Sequence, residues 1–314
     1  MEALPEKPSE TDCCGSGCSP CVFEVYEKLL ENFTAGVSYS AAHSNATIRH
    51  DLLSPLKYKP FLLFSVEKVN ENSNIYSFKP VADSSFEGEN PEFNSDDEIC
   101  GFLPYNPGQH IIMTNSVEKI ENLLSISRAY TPTSVAKMQK NCRIQFLIKL
   151  YANGAMSSFI RTLSINDVVF LRGPFGDFSH LPNSKYLMIC CGTGLAPMIS
   201  IIEIVLSDEY DETLIRLCFA CATLEDVYFR EKIRQFSKYW NFEAYIYLSN
   251  ESDDQISKHS AHNENICSRK ITLDVMKEKI FSVQHKVLIC GSNSFNKDMK
   301  AFAELCGCND IFIF

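Results

Sequence analysis

The 314-residue chain has no run of roughly 20 consecutive apolar residues, the length that a bilayer-spanning helix requires. Its longest candidate, residues 186–206, is broken by Gly192, Thr193, Gly194 and Pro197. The chain does not open on basic residues followed by an apolar core. Residues 1–12 carry acids instead, which speaks against a secretory or mitochondrial presequence, and Glu2 stands where myristoylation needs glycine. Clustered Lys and Arg are also missing. With 29 basic against 39 acidic residues and a formal charge of -10, the chain cannot neutralise a phosphate backbone; no nucleic-acid partner is expected, and a basic partner patch is. These absences predict a soluble, monomeric, intracellular protein, cytoplasmic by default, with association to a mitochondrial or endoplasmic-reticulum surface left open. In such a compartment most of the 14 Cys are reduced thiols.

What is present builds cores. At 45% hydrophobic and 22% charged residues, the chain has material for two domains and a short extension. Residues 1–57 read as a Cys-rich module on a polar linker, with one amphipathic helix where Val22, Phe23, Val25, Tyr26, Leu29, Leu30 and Phe33 recur at helical spacing. Residues 58–180 turn to short β-rich runs at 61–66, 75–81, 109–113, 123–126, 144–151 and 168–171, as in an antiparallel barrel; the acidic stretch 82–100 reads as an inserted loop. Residues 181–314 alternate strand and helix, which predicts a parallel sheet covered by helices, ending in a buried strand at 311–314.

Four stretches carry chemistry. Arg128-Ala129-Tyr130-Thr131-Pro132 closes a barrel strand, and alternation puts the guanidinium and the phenol on one face, suited to a pyrophosphate and an aromatic ring system. Tyr151-Ala152-Asn153-Gly154-Ala155-Met156-Ser157 enters a helix expected over 156–163, whose N-terminus offers free amides to a phosphate; Ser157 reads equally as the helix cap. Cys191-Gly192-Thr193-Gly194-Leu195-Ala196-Pro197-Met198 links an apolar strand to a helix, and its glycines let backbone approach a phosphate closely. Cys290-Gly291-Ser292 ends another buried strand, where the thiol faces the ligand crevice of a parallel sheet or is a small core residue.

Taken in this order, over nearly all of residues 61–314, these motifs resemble the NADH-cytochrome b5 reductase family within the ferredoxin-reductase-type flavoproteins. The family has R-P-Y-T-P, G-K-M-S, G-G-T-G-I-T-P-M and C-G-P-P-P-M; here they stand as Arg128 to Pro132, Gly154 to Ser157, Cys191 to Met198 and Cys290 to Phe295. The resemblance implies an FAD-binding antiparallel barrel followed by a parallel-sheet NAD-binding domain. It implies that Arg128, Tyr130, Thr131, Leu147, Lys149, Tyr151, Gly154, Met156 and Ser157 hold FAD. Gly192, Thr193, Gly194, Pro197, Cys290 and Gly291 would hold NADH, with Asp226 disfavouring the 2′-phosphate of NADPH or merely capping the next helix. Thr131 and Cys290 would flank the hydride path, and His110 would relay protons or be an ordinary strand histidine. The implied activity is electron transfer from NADH through flavin to a one-electron acceptor such as cytochrome b5.

Cys13, Cys14, Cys18 and Cys21 pack four thiols into nine residues and resemble the small oxidoreductase-like module that precedes some such flavoproteins. The Cys18/Cys21 pair has metal-ligand spacing, so zinc, an iron-sulfur cluster, redox thiols and a structural turn are all readings of the cluster. A second functional reading follows from it. Ala129, Ala155 and Ala196 replace family Pro, Lys and Thr, which suits a metal or thiol adaptor on a degenerate reductase scaffold. A reductase for another acceptor is a third.

Overall fold

The computed structural model describes residues 52–81, 103–115, 126–135, 142–261, 264–279 and 285–314, with Lys7, Phe23, Tyr26, Glu27, Leu30 and Glu31. Two compact units divide the chain: Met1–Lys68 with Asn72–Asp177, and Val69–Glu71 with Phe178–Phe314.

In the first unit, strands β1 (Lys59–Lys68), β2 (Ser73–Pro80), β3 (His110–Thr114), β4 (Ser127–Tyr130), β5 (Ile144–Lys149) and β6 (Val168–Phe175) pair antiparallel in the order β4-β3-β6-β1-β2-β5. The ends of that order meet. Pro132 bridges Phe146, and the Thr133 N–H donates to the Gln145 carbonyl at 2.9 Å, which closes the sheet into a barrel. Alternation sorts β5: Ile144, Phe146 and Ile148 join Phe61, Phe78, Ile111 and Leu171 inside, which puts Gln145, Leu147 and Lys149 on the other face. Helix α1 (Ala155–Thr162) sends Met156 and Ile160, one turn apart, into the same core. Of the strand expected at 123–126, residues 123–125 lie outside the described residues and Ile126 is not in a strand; β4 starts at Ser127. Within 22–33 the described Phe23, Tyr26, Glu27, Leu30 and Glu31 are helical; the apolar three are half-buried and the two acids exposed.

The second unit alternates as its sequence pattern dictates. β7 (Lys185–Cys191) leads through a 3-10 turn (Gly192–Gly194) to α2 (Leu195–Ser207). Then follow β8 (Leu214–Cys221), α3 (Arg230–Phe236), β9 (Phe242–Leu248), α4 (Asp253–His259), β10 (Asn265–Cys267), α5 (Leu273–Lys279), β11 (Lys286–Cys290), α6 (Asn293–Leu305) and β12 (Ile311–Ile313). All sheet pairs are parallel, in the order β10-β9-β8-β7-β11-β12. Central β7 is buried on both faces, hence its unbroken apolar run Tyr186 to Cys190. The terminal strand differs from expectation: β12 is an edge strand and only half-buried, because β11 covers one side alone. It is pinned by the Phe314 N–H donating to the Ile289 carbonyl at 3.0 Å and by Phe178, whose ring lies 5.3 Å from both Phe312 and Phe314.

Among the described residues no helix is long and apolar enough to cross a membrane.

At the end of the sheet where β8 starts, Asp211 anchors the loop from α2. Its buried carboxylate accepts from the Asn183 N–H, the Thr213 N–H and the Thr213 hydroxyl on one oxygen, and its other oxygen lies 2.6 Å from His180 Nε2. Burial acts to raise its pKa, but the bonds from Thr213, Asn183 and His180 outweigh it and hold the carboxyl below its ordinary value. A carboxyl with a lowered folded pKa contributes stability above its unfolded pKa and loses it as pH falls through the folded one. Asp211→Ala should therefore cost about 2–4 kcal/mol at neutral pH by leaving buried donors unpaired. Urea unfolding at several pH values should show the variant's stability falling less steeply with acid than the parent's.

Candidate functional site

The flavin-facing half of the expected site lies wholly in the barrel unit. On β4, Arg128 and Tyr130 are half-buried while Ala129 between them is exposed, so the guanidinium and phenol do share a face. Arg128 Nη1 donates to the Ser127 carbonyl at 2.6 Å, which fixes its base. The Tyr130 ring lies 5.9 Å from Phe146, and burial raises its phenol pKa further than Arg128 lowers it, so it stays a protonated donor at physiological pH. Thr131 is half-buried at the end of the strand, before the Pro132 bridge. Leu147 is buried and Lys149 half-buried on the non-core face of β5.

At α1 the geometry decides between two readings of Ser157. The helix N-cap is Gly154, without a side-chain cap bond, and Ser157 Oγ instead accepts from the Tyr151 N–H at 3.0 Å. Ser157 thus holds the preceding turn and is not the cap. A Cβ on Gly154 would sit 2.9 Å from Ser157 Oγ, so any side chain there would have to displace that hydroxyl. No acid stands in the first helical turn, whose amides have no intrahelical partner, and no side chain caps them. This end of α1 fits a phosphate. Met156 is core, and Tyr151 is exposed at 60%. Ala155 stands where the resembled family has lysine, so the first turn of α1 carries no cation of its own.

The nucleotide half lies in the second unit, at the carboxyl ends of β7, β8 and β11. Gly192 has φ +55° and its missing Cβ would point into open space, whereas a Cβ on Gly194 would run into the Cys290 carbonyl oxygen and lie 2.6 Å from its carbon. One glycine thus lets a ligand approach, and the other lets two turns touch. Gly291 is equally closed in: its Cβ would lie 2.5 Å from Cys191 Sγ and 2.6 Å from Phe295. Thr193 is half-buried beside this cradle, and Pro197 is buried in the first turn of α2. Cys290 is desolvated, with Cys191 nearby, which pushes its thiol up to about 12. It acts as a neutral thiol, not a thiolate.

Asp226 ends a 3-10 turn (Leu224–Asp226) after β8 and does not cap α3, whose N-cap is Phe229. Thr223 Oγ1 lies 3.3 Å from its Oδ2, and Asn70 Nδ2, in the segment that groups with this unit, donates to Oδ1 at 3.1 Å. Glu251 was not singled out from the sequence. Its Oε2 accepts from the Leu224 N–H at 3.0 Å and so fixes the turn that carries Asp226. Only the fold brings it there, from the end of β9. Ser292, also not singled out as a cap, caps α6 by accepting from the Phe295 N–H at 3.3 Å.

His110 begins β3 opposite Phe175, and burial lowers its pKa to about 4. It is neutral at physiological pH, so it suits a strand histidine better than a proton carrier. Cys13, Cys14, Cys18 and Cys21 lie outside the described residues, and among the described residues no group of three or more His, Cys, Asp and Glu is placed to hold a metal.

Comparison with known proteins agrees with this geometry. Three family models match: Oxidoreductase-like protein, N-terminal, over residues 2–42; Oxidoreductase FAD-binding domain over 95–180; and Oxidoreductase NAD-binding domain over 188–301. A human protein called NADH-cytochrome b5 reductase-like is 30% identical over 310 residues, covering 95% of this chain and 90% of its own length. NADH-cytochrome b5 reductase 1 of Dictyostelium discoideum is 29% identical over 265 residues, covering 83% and 82%. Among solved structures, the cytochrome b5 reductase domain of Ulva prolifera nitrate reductase superimposes with a TM-score of 0.67 at 20% identity, covering 84% of this chain and all of that one. The CS-b5R domains of human Ncb5or give 0.63 at 20%, covering 82% and 69%.

The two glycines should separate experimentally. Gly194→Ala should disrupt the contact with Cys290, lowering the melting temperature and abolishing nucleotide binding together. Gly192→Ala should cost only about 1–2 kcal/mol for its left-handed backbone, yet weaken NADH binding by placing a methyl group where a phosphate would approach. Calorimetric titration beside thermal melts checks both.

Proposed function

The chain belongs to the NADH-cytochrome b5 reductase family and is an NADH-dependent flavoprotein oxidoreductase of that type, and from that premise we propose that it passes electrons singly to a haem protein, cytochrome b5. Bound FAD supplies the conversion between the two electrons of a hydride and the single electrons such an acceptor takes. The observation that carries this reading is the presence of one glycine-built phosphate cradle in each unit, Gly154 against Ser157 and Gly192 to Gly194 against Cys290.

In this proposal the residues position and exclude. Arg128, the α1 amides and the Ser157 hydroxyl bind the flavin pyrophosphate. Tyr130, held protonated by burial, would donate to the flavin nucleotide without charging the site, and Thr131 would hold the flavin ring. Leu147, Lys149 and Tyr151 line the cofactor from β5 and its following turn. Gly192, Thr193, Gly194, Pro197 and Gly291 seat the nicotinamide nucleotide. Cys290 would present a neutral thiol to the nicotinamide, which, not being a thiolate, would not attack the ring as a nucleophile. His110 supports β3 as a neutral ring.

Asp226 selects NADH, because a second negative charge at its side of the ribose is repelled. The printed names of the relatives support cytochrome b5 as acceptor, and the formal charge of -10 suits a partner that presents basic residues. The monomeric state, the domain limits 1–57, 58–180 and 181–314, and a zinc, iron-sulfur or thiol role for the N-terminal cysteines are part of the same proposal. The match of residues 2–42 to the Oxidoreductase-like model supports the last as a recurring module.

Steady-state reduction of cytochrome b5 tests the assignment. NADH should support turnover and NADPH should support far less, and Asp226→Ala should raise the NADPH to NADH ratio of kcat/KM at least about tenfold. Turnover with an artificial acceptor but none with cytochrome b5 would reject the acceptor while keeping the enzyme.

A further inference from the structure

The loops at the amino ends of β8 and β9, in the second unit, enclose a cavity of about 670 Å³ that the nucleotide chemistry does not use. The nucleotide motifs occupy the carboxyl ends of the same parallel strands, so this cavity is at the opposite end of the sheet. Its lining includes three aromatic side chains in solvent, Tyr210 at 83% exposure, Trp240 at 73% and Tyr239 at 48%, and three exposed acids, Asp208, Glu209 and Glu212. Trp240 is the sole tryptophan of the chain. One exposed aromatic needs no explanation, but three around one concavity forfeit burial that a domain with no ligand there would have no reason to give up.

Charge narrows the occupant. No Lys, Arg or His lines the cavity among the described residues, and none of the Asp208, Glu209 and Glu212 carboxylates is in a salt bridge among them. Helix α2 ends at the rim, where Val205, Leu206 and Ser207 line the cavity, so the negative end of a 13-residue helix adds to the field. The walls are also pre-formed. Asp211 fixes one loop through the bonds described above, and Asn241 fixes the other by donating to the Thr213 carbonyl at 3.0 Å. Anchored loops that carry three aromatic rings and these three carboxylates around one concavity, with no Lys, Arg or His in its described lining, suit a cation.

We infer that this cavity is a docking site for an arginine-bearing segment of a partner protein, distinct from the nucleotide site. A guanidinium is weakly hydrated, stacks flat on aromatic rings and pairs with carboxylates, so it fits this lining better than a compact ammonium does. The open mouth suits a side chain carried on a polypeptide.

The lone tryptophan makes the test direct. The flavin-loaded protein is titrated with the peptide Ac-Arg-Gly-Arg-Gly-NH2 at constant ionic strength, following Trp240 fluorescence and heat, with the glutamate counterpart as control. Saturable binding of the arginine peptide alone is expected, weakened at least about tenfold in E209Q/E212Q and, by calorimetry, in W240A. Both variants should oxidise NADH at the parent's rate. No saturable signal, an equal response to the glutamate peptide, or undiminished binding in both variants would overturn the inference. Tetramethylammonium binding as tightly as the peptide would overturn the polypeptide occupant in favour of a small organic cation.

Discussion

The backbone of Gly194 lies so near the carbonyl of Cys290 that no side chain fits between them, and the nucleotide half of this enzyme rests on that approach. β7 and β11 are neighbours in the sheet, paired in register from Tyr186 with Lys286 to Cys190 with Cys290. Parallel pairing brings their carboxyl ends level, so both connecting turns must leave the sheet at the same point. They can do so only because one turn is Gly192-Thr193-Gly194 and the other begins at Gly291, itself closed in by Cys191 and Phe295. The same two turns start α2 and α6, the two longest helices among the described residues, so the cradle and the packing of the unit depend on one set of glycines.

The barrel meets its requirement differently. Strand alternation commits the even positions of β5 to the core and leaves Leu147 and Lys149 on the opposite face, while β4 turns Arg128 and Tyr130 together to one side. Burial keeps the barrel's groups neutral, with the Tyr130 phenol held protonated and the His110 ring lowered to about 4, and in the second unit it separately pushes the Cys290 thiol up to about 12. Near pH 7 none of the three changes charge.

Much of this was legible in the sequence, for physical reasons. Buried parallel strands such as 186–190 and 287–289 must be continuous apolar runs, and glycine-rich turns after them mark ligand ends. The residues 250–269 were opaque because α4 is a short, mostly exposed helix, and β10 is a three-residue edge strand with no fully buried position to betray it. The terminal strand was read as buried because its apolar composition does not reveal that only one neighbour covers it. Of the two readings of Ser157 the cap is the one that fails: the sequence places a hydroxyl at a helix start but does not say that Tyr151 will claim it. Glu251 carried no signal, since its partner Leu224 is 27 residues away and only parallel pairing of β8 with β9 brings them together.

The central claim is that one chain holds both nucleotides and moves a hydride between them. It is tested most directly by an anaerobic absorbance titration of the purified protein with NADH. The account expects one FAD per chain and flavin bands that bleach fully with one equivalent of NADH. A protein that retains no flavin after reconstitution with FAD, or whose bound flavin stays oxidised in excess NADH, would contradict it.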